Sequence, residues 1–407
     1  LESGGGGALG LDDLRRSPNA VARYYSRFRV ADRLLLTGHS HQAWPDVARA
    51  AQVAAFDDAA LEVDAKWEKA FAVADRVRAG FAVLLGEPGA RIALGANTHE
   101  LVTRFLSAVD LGRRPRLVTS DGEFHTLRRQ LVRLAEEGVE VVRAAVEPVD
   151  TLAARIAAEV DDRTSAVLVS AVLFETSRIV PGLGDLATVC REHGTELLVD
   201  AYHALGVVPV SVVEQGLGEA WVVGGGYKYL QLGEGNCFLR LPEHADRLRP
   251  VLTGWYAEFT DLAGRRSDDS VGYGVGAVRF AGSTYDPTSH YRAAAVFEFA
   301  GGVGLTMPLL REVSQHQTGV LAERFDALGL DEGVVTRDRE TPRVGFGGFL
   351  ALRAPRAGLL RAGLAERGVS TDSRGEYLRF GPAPYLSDSQ LSDAMVALGE
   401  VVVEVGG

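Results

Sequence analysis

The chain is poor in the residues that mark several functional classes. It has two cysteines, Cys190 and Cys237, and their separation matches no zinc-ligand or redox spacing. Both are read as buried thiols in a reducing, cytoplasmic setting, without a disulfide. Basic residues are outnumbered, 43 Lys and Arg against 54 Asp and Glu, for a formal net charge of -11, which argues against nucleic acid or an anionic membrane surface as the main partner. No apolar run approaches the roughly 20 residues that span a bilayer, so no membrane partner is expected. There is no Gly-x-Ser-x-Gly elbow for a serine hydrolase. His39, His41 and His99 lack tight ligand spacing, and no metal is expected. No internal repeat stands out. The opening Leu1–Gly7 lacks the basic region and apolar core of a signal peptide and reads as a flexible linker.

What is present is an ordinary globular composition, 46% hydrophobic and 24% charged over 407 residues, enough for two domains with substantial cores. From Asp46 to Leu85 the apolar spacing predicts mostly helix, with Trp67, Phe71 and Phe81 as core contacts. Beyond it, short apolar runs at Arg116–Thr119, Val139–Val142, Ala166–Val169, Glu196–Val199 and Trp221–Val223 alternate with helical stretches. That rhythm predicts an α/β fold, a mainly parallel sheet covered by helices on both faces. From about Ser289 the rhythm changes, with helices near Ala293–Phe299 and Leu359–Arg367 and strands near Phe349–Arg353 and Tyr377–Phe380. The expected division is an N-terminal arm over 1–45, a large domain over 46–288 and a smaller α/β domain over 289–407.

Two segments carry chemistry. Glu196-Leu197-Leu198-Val199 reads as a buried strand that delivers Asp200 at its C-terminal end, where open α/β sheets bind ligands. Ala220-Trp221-Val222-Val223 leads through three glycines to Tyr227-Lys228. Glycines there allow close approach of backbone and ligand. A buried carboxylate and a lysine in this arrangement suit pyridoxal phosphate: the amine forms a Schiff base with the aldehyde, and the carboxylate keeps the pyridine nitrogen protonated. Taken singly, Asp200 is equally consistent with a helix cap and Lys228 with a solvated loop. A helix start at Gly95-Ala96-Asn97-Thr98-His99-Glu100 offers free amides to a phosphate, or simple N-capping by Asn97 or Thr98.

Asp200-Ala201-Tyr202-His203-Ala204-Leu205-Gly206, Tyr227-Lys228-Tyr229-Leu230 with Gly233 and Gly235, Gly254-Trp255-Tyr256, and Arg379-Phe380-Gly381-Pro382-Ala383-Pro384-Tyr385 occur in the order seen in kynureninase. More broadly, the chain resembles the class V aminotransferase group of fold-type I pyridoxal-phosphate enzymes, over nearly its whole length after Leu34. The resemblance implies a large domain with a seven-stranded, mainly parallel sheet. It implies Lys228 as Schiff-base lysine and proton carrier, Asp200 against the pyridinium, and His203 near the phenolic oxygen. Phe124 would stack on the ring, while Thr98, His99 and Tyr227 would hold the phosphate, Tyr227 also moving a proton. Trp255 is assigned to the cofactor site. Ser283 and Thr284 would reach the phosphate of a partner subunit, making a homodimer with shared sites, and Arg379 would grip the α-carboxylate of an amino-acid substrate.

The reaction implied is hydrolysis of a Cβ–Cγ bond beside a γ-carbonyl, releasing alanine. Two motifs depart from the family: its Gly-Asn-Ser is Gly38-His39-Ser40 here, and its Ser-Asn-Pro is Ser283-Thr284-Tyr285, so recognition of the substrate's far end by His39 and Ser40 differs. Desulfuration is disfavoured, because Gly368–Arg374 holds no cysteine. Aminotransferase or other lyase chemistry stays open, as does a degenerate fold-type I binding module.

Overall fold

The computed structural model describes residues 9–261 and 270–406; the expected linker Leu1–Gly7 lies outside the described residues. The central strands of the large sheet are apolar on both faces, and their alternation divides them between two cores. In the strand Thr164–Ser170 every position is buried. Val167 and Val169 join one core with Val118, Val199 and Val222. Ala166 and Leu168 join the other with Leu117, Leu198, Trp221 and Val223. Burial on both faces is the condition of a parallel sheet sandwiched by helices.

Seven strands form that sheet: β1 (Arg91–Gly95), β2 (Arg116–Ser120), β3 (Glu140–Ala144), β4 (Thr164–Ser170), β5 (Glu196–Asp200), β6 (Trp221–Gly225) and β7 (Cys237–Leu241). Their order is β1-β7-β6-β5-β4-β2-β3, with β7 antiparallel to both neighbours and the rest parallel. Helices α1 (Val47–Glu62), α2 (Lys66–Leu84), α5 (Leu152–Ala158), α6 (Leu183–Glu192) and α7 (Thr288–Val303) pack on one face; α3 (Thr98–Leu106) and α4 (His125–Glu136) pack on the other. A second core lies around α8 (Met307–Ala327), α9 (Ala357–Glu366), α10 (Asp388–Gly406) and an antiparallel sheet. That sheet comprises β8 (Thr336–Arg337), β9 (Leu350–Arg353), β10 (Asp372–Arg374) and β11 (Tyr377–Phe380), in the order β10-β11-β9-β8. The N-terminal segment packs into this second core through Leu14, Val21 and Tyr25, and Leu34–Leu35 pairs in parallel with Val369–Ser370. Among the described residues no single helix is long and apolar enough to cross a membrane.

The stretch from Asp46 to Leu85 is mostly helical as expected, in two helices that part at Val63, which adopts a positive φ of 50°. Phe81 is in the core and Trp67 packs half-buried against it, as expected; Phe71 is half-buried and stands instead with Trp67, Tyr256, Phe259 and Tyr285 in an aromatic group. Strands β1 and β7 escaped notice. Each is five residues long, and β7 follows Gly233-Glu234-Gly235-Asn236, a run with the composition of a loop.

Candidate active site

The sheet brings the C-terminal ends of its parallel strands to one edge. There β1 runs into the start of α3, β2 into Phe124, β4 into Val172 and Phe174, β5 into Tyr202 and His203, and β6 into Tyr227 and Lys228. The antiparallel β7 begins at the same edge with Cys237. A cavity of ≈ 270 Å³ opens among these segments, at the edge where open α/β sheets place their ligands.

Lys228 is buried, and its Nζ lies 2.5 Å from His203 Nε2. Burial lowers the lysine pKa to about 7, against the opposing charge of Asp200; Arg379 and Arg374 add to the lowering. Lysine is scarce in this chain: Lys66 and Lys69 start α2, and Lys228 alone is buried. That scarcity was a usable signal in the sequence. His203 is held neutral by burial and by the nearby Lys228, with Nδ1 buried and unpartnered. Asp200 ends β5 and accepts from the Tyr202 amide at 2.8 Å. Burial raises its proton affinity, while that hydrogen bond and Lys228 oppose the rise. The Phe124 ring centroid is 5.3 Å from Lys228 Nζ, and Tyr202 and Tyr227 lie at 4.8 and 5.9 Å.

Asn97 caps α3, its side chain accepting from the Glu100 amide at 2.9 Å. Asn97, Thr98 and His99 line the cavity, so the positive end of a nine-residue helix faces it. The three glycines serve a different purpose from the close ligand approach expected of them. A Cβ on Gly225 would lie 2.5 Å from both Tyr202 Oη and Cys237 Sγ, and one on Gly226 would meet Leu232 at 2.3 Å. They make room for the chain's own side chains beneath the cavity.

Of the expected site residues, Thr98, His99, Phe124, Asp200, His203, Tyr227 and Lys228 line this cavity, and Arg379, His39, Ser40, Trp255, Ser283 and Thr284 are not among its lining residues. Arg379 is buried behind the cavity wall and donates to the carbonyl of Phe174, which does line it. His39 is buried too, 3.7 Å from Asp372 and against the Phe349 ring. Ser40 bonds its neighbour His41. Trp255 is 44% exposed and packs edge-on against Tyr256 and tilted against Phe259, while Ser283 and Thr284 are exposed.

Residues not anticipated also stand here. Glu123 is buried, its carboxylate bonded by the hydroxyls of Ser120 and Ser170 at 2.6 Å each. Burial raises its pKa to about 7. Ser170 ends β4 one strand away from Asp200, a place that the strand-end rule makes findable. Cys237 lines the cavity as well, but burial pushes its pKa up to about 12, so it is no thiolate.

The geometry meets what pyridoxal phosphate requires: a buried amine of lowered proton affinity, a carboxylate at a strand end, an aromatic ring beside the amine, a helix start for the phosphate and an orphaned imidazole nitrogen. No family model matches the chain. Isopenicillin N epimerase of Streptomyces clavuligerus is 27% identical over 345 residues, 79% of this chain and 84% of that protein. The uncharacterized aminotransferase YcbU of Bacillus subtilis is 23% identical, over 83% of this chain and 86% of that one. Kynureninase of Xanthomonas campestris is 29% identical over 180 residues, 43% of this chain and 40% of that enzyme. Among solved structures, an apo cysteine desulfurase from Thermococcus onnurineus NA1 superposes with a TM-score of 0.78 at 17% identity, covering 96% of this chain and 99% of that one. A C-DES variant with glycine covalently linked to its PLP cofactor gives 0.81 at 15% identity, covering 93% and 98%.

The superpositions show that the chain has the fold of these pyridoxal-phosphate enzymes, and the relatives matched over about four fifths of the chain are an epimerase and an uncharacterized aminotransferase. The residues at the strand ends are those that would hold pyridoxal phosphate, the cofactor carried by the C-DES variant. Kynureninase is matched over less than half of the chain, so the resemblance to it is partial.

Proposed function

We propose that this enzyme removes the α-proton of an amino acid with Lys228 as the base, and that hydrolysis of a Cβ–Cγ bond beside a γ-carbonyl, releasing alanine, is the reaction to which it is best suited. The observation that carries the proposal is the Lys228 amine: buried, lowered to about 7, and 2.5 Å from a neutral imidazole. An amine with that proton affinity both accepts and returns a proton near neutral pH. When bound, pyridoxal phosphate supplies the electron sink that acidifies the α-carbon.

The chain's own residues supply the rest. Asp200 would keep the pyridine nitrogen protonated, Phe124 would stack on the ring, and His203 would donate to the phenolic oxygen. Thr98, His99 and Tyr227 would hold the phosphate. Burial raises the Tyr227 pKa to about 12, so its hydroxyl keeps its proton and acts as a donor. Arg379 would orient the substrate carboxylate. Leu252, Trp255, Phe259 and Val275 are exposed apolar side chains. Covering them in a homodimer would bring Ser283 and Thr284 toward a partner's phosphate.

Amino transfer or epimerisation is the second reading. It is favoured by the epimerase and the aminotransferase, which match about four fifths of the chain. Desulfuration lacks a nucleophile, since Gly368–Arg374 holds no cysteine and both thiols elsewhere are buried. The test is titration of the cofactor-loaded protein with kynurenine and 3-hydroxykynurenine. Release of alanine with the matching anthranilate is the expected result. A visible cofactor band without alanine release rejects the hydrolysis and directs the search to a keto-acid acceptor or to inversion at the α-carbon.

A further inference from the structure

Arg379, the expected carboxylate grip, already holds a carboxylate of the chain itself. Its Nη2 donates to Asp372 Oδ2 at 2.5 Å and its Nη1 to the Phe174 carbonyl, while its Nε is buried without a partner. Asp372 is shared: Arg374 Nη1 lies 3.0 Å from its other oxygen. These residues sit on neighbouring strands, Asp372 directly opposite Arg379 in the β10–β11 register. His39 approaches Asp372 to 3.7 Å but is neutral, because burial lowers its pKa to about 4. Two guanidinium groups, one carboxylate and an uncharged imidazole leave the cluster with a single net positive charge. That charge is felt at the catalytic amine, where Arg379 and Arg374 each disfavour the protonated form and Asp372 favours it.

We propose that Asp372 is a specificity-determining residue: by neutralising one of the two guanidinium groups it leaves one positive charge at the carboxylate end of the site, which selects an amino acid with a monoanionic acid group over a dianionic analogue. A buried guanidinium needs a counterion in the resting enzyme, since an unpaired one is costly. Asp372 meets that need without consuming both positive charges. An incoming α-carboxylate then balances the cluster to zero, whereas a doubly charged phosphonate carries it past balance in a partly buried setting where charge is weakly screened.

The inference rests on the pyridoxal-phosphate reading, and the test separates the two. Cofactor-loaded protein is titrated with alanine and with 1-aminoethylphosphonate at a pH where the phosphonate is doubly charged, following the visible cofactor band. Asp372→Asn, which keeps the shape, is expected to shift the affinity ratio toward the phosphonate by about tenfold or more. Arg374→Gln, at a half-exposed side chain, is expected to shift it the other way. Opposite shifts cannot come from a general loosening of the site. A normal band with an unchanged ratio in both variants overturns the inference alone. Absence of any cofactor band from the parent protein overturns the pyridoxal-phosphate reading, and this inference with it.

Discussion

The two ends of the large sheet treat charge in opposite ways. At the C-terminal end of the strands, Lys228 and Glu123 are each pushed to about 7 from opposite sides, His203 is held neutral, and imidazole nitrogens of His39 and His203 lack partners. At the N-terminal end the charges are paired. Arg116 meets Glu140, Glu159 and Asp161 within 3.1 Å. Buried Arg240 holds Glu87 through two nitrogens and the carbonyls of Gly218 and Ala220 through a third. His244 sits between Glu196 and Glu219. One sheet therefore carries a satisfied end that stabilises it and an end kept short of ionic partners, where the groups of a ligand would complete what is missing.

The sharpest way to break this contrast is to make the same kind of substitution at both ends. Lys228→Met keeps the stem and removes the amine; activity should fall by about 10³-fold or more, with loss of the visible band of the lysine-linked cofactor. Stability should not fall with it. A lysine whose folded pKa is depressed from 10.5 to about 7 binds fewer protons folded than unfolded between those values, so at neutral pH it works against folding. Melting of the cofactor-free variant at pH 7 should match or exceed the parent, and a large drop would break the comparison. Arg240→Met should do the reverse. It leaves Glu87, half-buried, and two carbonyls without their donor, and should cost about 3 kcal/mol in denaturant unfolding while kcat is retained.

How much of this was legible beforehand follows the same division. The end that carries chemistry announces itself, because Asp200 and Lys228 each close an apolar run and their residue types are rare in such places. The parallel strands were visible from their unbroken apolar character. The antiparallel β7 was hidden behind a glycine-rich turn, and the break at Val63 has no Gly or Pro to mark it. Glu123 and Asp372 could not be recognised as site groups from spacing. Glu123 matters through Ser120 and Ser170, and Asp372 through Arg379 on the adjacent strand; only folding brings those partners together. Arg240 and Glu87 are 153 residues apart, and no local pattern pairs them.

The smallest effect tests the satisfied end by pH. His244 has its pKa raised by the hydrogen bond it donates to Glu196, with Glu219 adding to it and partial burial opposing. A histidine raised above its usual 6.5 contributes stability that is fully present below that value and is lost as pH rises through the folded pKa. The site is partly exposed and screened, so His244→Gln should cost no more than about 1 kcal/mol below pH 6.5 and nothing well above the folded pKa. The measurement is the difference in Tm between parent and variant across that range. A difference that grows with rising pH would mean that the imidazole is neutral between its carboxylates, and the pairing of charge at this end of the sheet would then stop at Arg116 and Arg240.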